Sequence, residues 1–137
     1  MKKALFLFVL AVVFMSCEDS VPQELTTKQI FELTVNKSNW VEYTDGDGLN
    51  RYYSCYFPLR QINSSLLTDG AVVAYTEIND KQQILPYVRH YEDTKGYVWT
   101  RTVDYDFSNG GITFYVTNSD FAKYLPETMY FRVVLMW

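Results

Sequence analysis

Residues 97–117 have the sequence YVWTRTVDYDFSNGGITFYVT. Apolar or aromatic residues alternate with polar ones on both sides of a central Ser-Asn-Gly-Gly segment. A period of two is typical of half-buried strands. Asn109-Gly110 between two such runs indicates a two-residue hairpin turn, whose commonest form needs positive φ at both central positions. The stretch therefore predicts an antiparallel hairpin with positive φ at Asn109 and Gly110.

Further strands are predicted on both sides of this hairpin. Runs rich in aromatic and β-branched residues, which favour strands, cover residues 29–35, 40–43, 51–57, 71–78, 83–91 and 129–137. One helical turn is predicted at residues 61–67, capped by Asn63 or Ser64 and ended by Gly70. Another turn of helix is predicted within 120–126. Seven or eight short strands at hairpin spacing predict an all-β fold, an antiparallel β-sandwich of the immunoglobulin-like or jelly-roll-like kind, with a small barrel as the alternative.

Three strands have sequence features that predict their place in a sheet. Residues 71–78 begin with a run that is apolar on both faces, which favours a central strand. Pro86 interrupts residues 83–91 and cannot donate a ladder hydrogen bond, so an edge or a bulge is expected there. Residues 129–137 are apolar except Arg132, and a closing apolar strand is expected to be available for pairing with another chain.

The first 17 residues have the order of a secretory signal. Lys2 and Lys3 precede an uncharged apolar run over residues 4–16, which is too short to cross the bilayer because a helical span needs about 20 residues. Phe14-Met15-Ser16-Cys17 resembles a bacterial lipobox. The resemblance implies that Cys17 becomes a lipidated N-terminus that anchors the protein to a membrane. The chain then divides into a signal (1–17), a flexible acidic tether (18–27) and one β-domain (28–137).

The order of several motifs resembles a family of small Bacteroidetes lipoproteins that have no assigned activity. The motifs are the lipoprotein signal, Trp40, Gly70-Ala71-Val72-Val73-Ala74-Tyr75, Leu85-Pro86-Tyr87 and Phe131-Arg132-Val133-Val134. The family often has Trp just before Leu-Pro-Tyr, where this chain has Gln83-Ile84. An acidic Glu18-Asp19-Ser20 after the lipidated cysteine resembles the export signal of surface lipoproteins. It implies an outer-membrane anchor at the cell surface, and the alternative is a periplasm-facing domain with a solvated tether.

Charge and cysteine content exclude several classes of function. Residues 18–137 contain 10 basic and 16 acidic side chains, which argues against binding to nucleic acid or anionic lipid. Cys55 is then the one cysteine of the domain, inside an apolar run, and is expected to be a small buried residue. The spacing predicts no disulfide framework, no metal site and no cofactor.

Three groups have residue types that occur in catalytic or metal-binding sites. Asp104 and Asp106 lie two apart on one strand, so they point the same way and suit a solvated strand end better than a glycosidase pair. His90 is the one histidine and is expected on the surface or half-buried, without a nucleophile motif. Asp45-Gly46-Asp47-Gly48 does not fit a calcium-loop spacing and predicts an acidic turn. The sequence therefore predicts no catalytic residue.

An aromatic strip is the one site-like feature. Tyr97, Trp99, Arg101, Val103 and Tyr105 fall on one face of a predicted strand. Such a strip is commonly core, but Arg101 fits a core poorly. If the face is open, Tyr97, Trp99, Arg101 and Tyr105 are of the types that form binding hot spots. A second cluster, Tyr52, Tyr53 and Tyr56, is more typical of core.

These features predict a non-enzymatic, membrane-anchored binding module for a glycan or a protein. The alternative is a structural or assembly subunit of an envelope complex.

Overall fold

The computed structural model describes residues 27–137, which form two β-sheets, one six-residue helix and one 3-10 turn. The strands are β1 (Lys28–Val35), β2 (Val41–Tyr43), β3 (Tyr52–Pro58), β4 (Ala71–Ile78), β5 (Lys81–Ile84), β6 (Tyr87–Glu92), β7 (Val98–Ser108), β8 (Gly111–Asn118) and β9 (Met129–Met136). The helix α1 spans Ser64–Asp69, and the 3-10 turn spans Lys37–Asn39.

The two sheets form the predicted β-sandwich. Sheet I has the order β1-β9-β4-β5, sheet II has the order β2-β3-β8-β7-β6, and every pairing between neighbouring strands is antiparallel. β4 is central, as predicted. The expectation that the closing strand offers a free edge is wrong, because β9 pairs with β1 on one side and β4 on the other.

The predicted strand at residues 83–91 is in fact two strands, which is why the described chain has nine. β5 ends at Ile84 as the edge of sheet I, and β6 begins at Tyr87 as the edge of sheet II. Pro86 lies between them, where its missing N–H disrupts no ladder. The proline therefore marks an edge, as predicted, and also the place where the chain crosses between sheets.

The core lies between the sheets and is built on alternation. Phe31, Leu33 and Val35 of β1 alternate along the strand and point inward, although only Val35 is fully buried. At the centre, Phe114 of sheet II stacks on Phe131 of sheet I with ring centroids 3.9 Å apart. This stack joins the two sheets.

The β7–β8 turn differs in backbone from the expectation. The β7–β8 hairpin closes at Ser108 and Gly111 as predicted, but Gly110 has positive φ and Asn109 does not. Both central residues have positive φ in the β4–β5 hairpin instead, at Asn79 and Asp80. Asn and Asp tolerate this region better than other non-glycine residues.

One of the two predicted helical turns is present. Asn63 caps α1 by accepting a hydrogen bond from the Leu66 N–H at 3.0 Å, and Gly70 follows its last residue. The prediction of helix within 120–126 is wrong, because that segment is an irregular loop. Phe121 has φ of 49°, outside the right-handed helical region, and begins this loop.

Candidate functional site

The predicted aromatic strip is divided between the core and an open cleft. Val103 is fully buried, and Tyr105 reaches sheet I, where its hydroxyl donates to the Val72 carbonyl at 3.0 Å. Trp99 and Arg101 are half-buried on the same face of β7, and Tyr97 lies exposed just before the strand. The strip is therefore core at Val103 and Tyr105 and open at Tyr97, Trp99 and Arg101, and Tyr105 belongs to the core half.

The open half forms the floor of a cleft of about 700 Å³. One wall is the loop of residues 119–128, which contributes Asp120, Lys123, Tyr124, Leu125 and Glu127. Lys37 and Asp93 line the rim from other parts of the chain. Ligand sites of small molecules commonly have volumes of about 300–1,000 Å³ and combine aromatic walls with a few polar groups. We call this feature the Trp99 cleft.

Tyr91 positions both strip residues on the floor. β6 pairs with β7 so that Tyr91 lies opposite Trp99, and their rings stack with centroids 5.6 Å apart. The Arg101 guanidinium lies over the same Tyr91 ring, 5.5 Å from its centroid. Arg101 Nε also donates to Asn118 Oδ1 at 3.0 Å, and Asn118 is buried. A ring stack, a cation–π contact and a hydrogen bond thus hold the floor in place.

The loop wall is attached to the sandwich at several points. The indole Nε1 of Trp40 donates to the Glu127 carbonyl at 3.2 Å, and Lys37 Nζ lies 2.7 Å from Glu127 Oε1. Arg51 Nη1 donates to the Phe121 carbonyl at 3.0 Å. Because Trp40 is itself buried against Phe131, the wall is tied to the core. The cleft is therefore a preformed feature of the fold.

The acidic groups of the cleft are partly used in their own turns. Asp93 Oδ1 accepts from the N–H groups of Lys95 at 2.8 Å and Tyr97 at 2.9 Å. Asp120 Oδ1 accepts from the Ala122 N–H at 3.1 Å. Each carboxylate retains a second oxygen that can accept hydrogen bonds. The cleft can thus offer aromatic faces, one guanidinium and carboxylate acceptors to a ligand.

The second tyrosine cluster is not a unit. Tyr53 is core, whereas Tyr52 is half-buried and Tyr56 exposed on the outer face of sheet II. A different row lies across that face. Tyr43 stacks on Tyr52 at 5.5 Å, and Tyr52 packs at 6.1 Å against Tyr115. We call this set the tyrosine row.

Asp104 and Asp106 share the outer face of β7, as predicted from their spacing, but their surroundings differ. Asp106 Oδ2 accepts from the Tyr115 hydroxyl at 2.8 Å. Asp104 Oδ1 is buried and has no hydrogen-bond partner within the described residues, so the expectation of a solvated position is wrong for Asp104. Burial, with a smaller contribution from the Asp106 charge, raises the pKa of the Asp104 carboxyl.

His90, Cys55 and Asp45 have ordinary structural roles. His90 is exposed and its Nδ1 lies 3.0 Å from Thr100 Oγ1. Cys55 is buried as predicted, and burial raises the pKa of its thiol. Asp45 closes its acidic turn by accepting from the Leu49 N–H at 2.9 Å and from the Asn50 side chain. Across residues 27–137, no three His, Cys, Asp or Glu side chains form a metal-binding group.

The predicted lipidation site Cys17, the signal and nearly all of the tether lie outside the described residues. Thr27, the last residue of the predicted tether, exchanges both backbone hydrogen bonds with Trp137, at 2.7 and 3.1 Å. In the described part of the chain, no helix has the length and apolar character of a membrane span.

Sequence reasoning found the floor of the cleft and missed its walls. Tyr91 could have been identified from the sequence, because Asp93 and Gly96 are turn-forming residues and a hairpin across them places Tyr91 opposite Trp99. Lys37 and the loop 119–128 carry no such signal, since only the packing of Trp40 and the course of the chain into β9 bring them to the site.

No protein-family model, curated protein or solved structure matches this chain.

Proposed function

We propose that this protein is a non-catalytic binding module, held on the outer membrane by a lipid on Cys17 and facing the cell exterior, whose ligand occupies the Trp99 cleft. The ligand is a glycan or a segment of a protein. The observation that carries the proposal is the cleft itself, where an aromatic floor fixed by Tyr91 faces a wall anchored at Trp40. A preformed site binds without the free-energy cost of ordering its side chains.

The acidic pair supports binding rather than glycoside hydrolysis. Hydrolytic carboxylates flank a bond from two sides, whereas Asp104 and Asp106 point the same way from one strand, on the face opposite Trp99. The Asp106 carboxylate is also engaged by Tyr115.

The cleft proposal is tested by substituting its floor. We expect the full chain with Trp99→Ala to lose at least about tenfold in affinity for its glycan or protein ligand, since hot-spot residues contribute more than about 1.4 kcal/mol, the equivalent of a factor of ten. Trp137→Ala is the matched control, because Trp137 is a partly exposed tryptophan that follows β9, at the end of that strand away from the loop 119–128. Screening on glycan arrays and host-protein arrays supplies the ligand. Equal binding by wild type and Trp99→Ala would refute the cleft as the site.

The anchor is tested separately by metabolic labelling with radioactive palmitate. Wild type and Cys55→Ala should be labelled, and Cys17→Ala should not, because Cys55 is buried in the domain. Protease treatment of intact cells should then digest the domain if it faces outward. Protection in intact cells with digestion after lysis would place it in the periplasm instead, and labelled Cys17→Ala would refute the anchor.

A structural or assembly role is the second candidate, and the tyrosine row favours it. Tyr43 is 47% exposed, and Val41 and Val88 on the same face are 51% and 57% exposed. Aromatic surfaces of this kind are common at protein interfaces. Crosslinking in cells, followed by purification of wild type and Tyr43→Ser, distinguishes the two roles. A stoichiometric envelope partner lost with Tyr43→Ser but retained with Trp99→Ala would favour assembly.

A further inference from the structure

The cations of the Trp99 cleft differ in whether their charge is already neutralised. Lys37 pairs with Glu127 at 2.7 Å, and Lys123 pairs with Glu42 at 3.6 Å. Arg101 has no carboxylate oxygen within 4.0 Å among the described residues, although it is half-buried. It is therefore the cation of the cleft whose charge the described protein leaves unpaired.

A second arginine increases the positive charge at this place. Arg89 lies directly opposite Arg101 in the β6–β7 ladder, and it too has no carboxylate within 4.0 Å among the described residues. Like charges directly opposite each other on neighbouring strands destabilise a sheet. The chain as a whole has a formal net charge of −4, whereas Arg89 and Arg101 give this place a local positive charge. An anion bound at Arg101 would relieve this repulsion.

The geometry of Arg101 suits one particular anion. Its Nε–H donates to Asn118 and its Cζ lies over the Tyr91 ring, and its two terminal amino groups have no hydrogen-bond partner among the described residues, so they remain free to donate. Two parallel N–H donors match the two oxygens of a carboxylate. The cleft also contains Asp93, Asp120 and Glu127, which disfavour a phosphate more strongly, because a phosphate carries up to two negative charges.

The neighbouring groups suit a sugar ring. Trp99 lies two residues away on the same face of β7, roughly 7 Å along the strand. Tyr91 stacks on one face of the indole, and the Trp99 side chain lines the cleft. The second oxygens of Asp93 and Asp120 can accept hydrogen bonds from hydroxyl groups. An acidic peptide would instead place several negative charges beside these carboxylates, which would repel them. It would also offer them few hydroxyl donors.

We infer that the ligand is a saccharide that carries a carboxylate, such as a uronic or sialic acid unit. Its carboxylate binds the terminal amino groups of Arg101, its ring packs on Trp99, and its hydroxyls donate to Asp93 and Asp120. This inference rests on the proposed function, since it names the ligand class of the same cleft.

The test compares acidic sugars with their neutral esters. The full chain, purified in detergent, is titrated with trimers of galacturonic and glucuronic acid and with sialyllactose, each beside its methyl ester. Indole and guanidinium N–H signals are followed by nuclear magnetic resonance, with the Trp99 signal assigned from Trp99→Phe. At least one acid should shift the Trp99 and Arg101 signals and bind about tenfold or more tightly than its ester. Added salt should weaken the acid only.

Variants isolate the role of the guanidinium. Arg101→Gln should reduce affinity for the acid to that of the ester, and Arg101→Lys should fall between, because it keeps the charge without the two-donor fork. Arg60→Gln is the control for net charge, since Arg60 lies at the other end of the sandwich beside the β7–β8 turn. Thermal unfolding confirms that each variant folds.

The outcomes separate the inference from the proposed function. Acid and ester binding equally, or a C-terminal peptide carboxylate binding where no sugar does, would overturn the saccharide-acid inference while the Trp99 cleft remains a binding site. If neither sugars nor peptides shift any cleft signal, the inference and the proposed function both fail.

Discussion

Phe131 is the residue whose truncation tests the packing argument most directly. It is 1% exposed, stacks on Phe114 across the two sheets at 3.9 Å and packs edge-on against Trp40 at 6.4 Å. Both partners belong to other elements that are fixed by their own ladders and hydrogen bonds. The cavity left by Phe131→Ala therefore cannot collapse easily.

The expected cost follows from that geometry. Phe→Ala in a core lowers the free energy of unfolding by about 3–5 kcal/mol, and the upper half of this range applies where neighbours cannot relax. A domain of this size loses about 4 °C in melting temperature per kcal/mol, so we expect a fall of about 15 °C or more. Phe131→Leu keeps most of the volume and should cost less.

Urea unfolding of the full chain in detergent, followed by tryptophan fluorescence, measures the change. Tyr130→Ala is the matched control, because Tyr130 is the preceding residue of β9, points to the other face and is 55% exposed. We expect it to cost less than about 1 kcal/mol. If Phe131→Ala cost no more than Tyr130→Ala, the inter-sheet stack would not be the centre of the core and the packing argument would be refuted.

Three further predictions concern local features. Asn63→Ala should cost about 1 kcal/mol, because it removes the side chain that accepts from the Leu66 N–H at the start of α1; an unchanged urea midpoint would contradict this. Asp80→Gly should stabilise by up to about 1 kcal/mol, because Asp80 has φ of 59°, and relief from the left-handed penalty of about 1–2 kcal/mol outweighs the greater freedom of glycine in the unfolded chain; a lower melting temperature would show that the Asp80 side chain matters more than its backbone. Asp104→Asn should raise stability relative to wild type at pH 7 but not at pH 3. The raised native pKa of Asp104 means that its ionisation opposes folding, so wild type loses stability as pH rises from the ordinary value of 3.8 through the raised one. Melting temperatures of Asp104→Asn and wild type, measured across this pH window, should differ by an amount that increases with pH. Asp106→Asn is measured for comparison. A difference between Asp104→Asn and wild type that stays constant with pH would contradict the prediction.

Local sequence features predicted most of the elements but not their neighbours. Alternation in residues 29–35 and 97–117 identified strands, and Asn63 and Gly70 marked the ends of α1, because these signals depend on the backbone of adjacent residues. Phe121 shows the limit of such reasoning. Its φ is positive, a conformation that residues other than Gly, Asn and Asp rarely adopt, so its residue type does not predict it.

The aromatic strip shows the same division within one strand. Sequence periodicity placed Trp99, Arg101, Val103 and Tyr105 on one face, since side chains alternate along any strand. It could not say where the opposing sheet ends. That boundary depends on β4, whose Val72 carbonyl meets Tyr105, and it separates the core half of the strip from the cleft half.

The sequence by itself determined the β-class, the position of the β7–β8 turn and the shared face of the aromatic strip, because hydrophobic periodicity and turn chemistry are properties of consecutive residues. Only the tertiary structure decided that β9 is central, that Pro86 carries the chain from one sheet to the other, and that Lys37, Asp93 and the loop 119–128 meet beside Trp99. These facts depend on pairing between strands far apart in the chain. The free energy of that pairing comes from burying the apolar faces of the two sheets against each other. A short stretch of sequence therefore does not predict it.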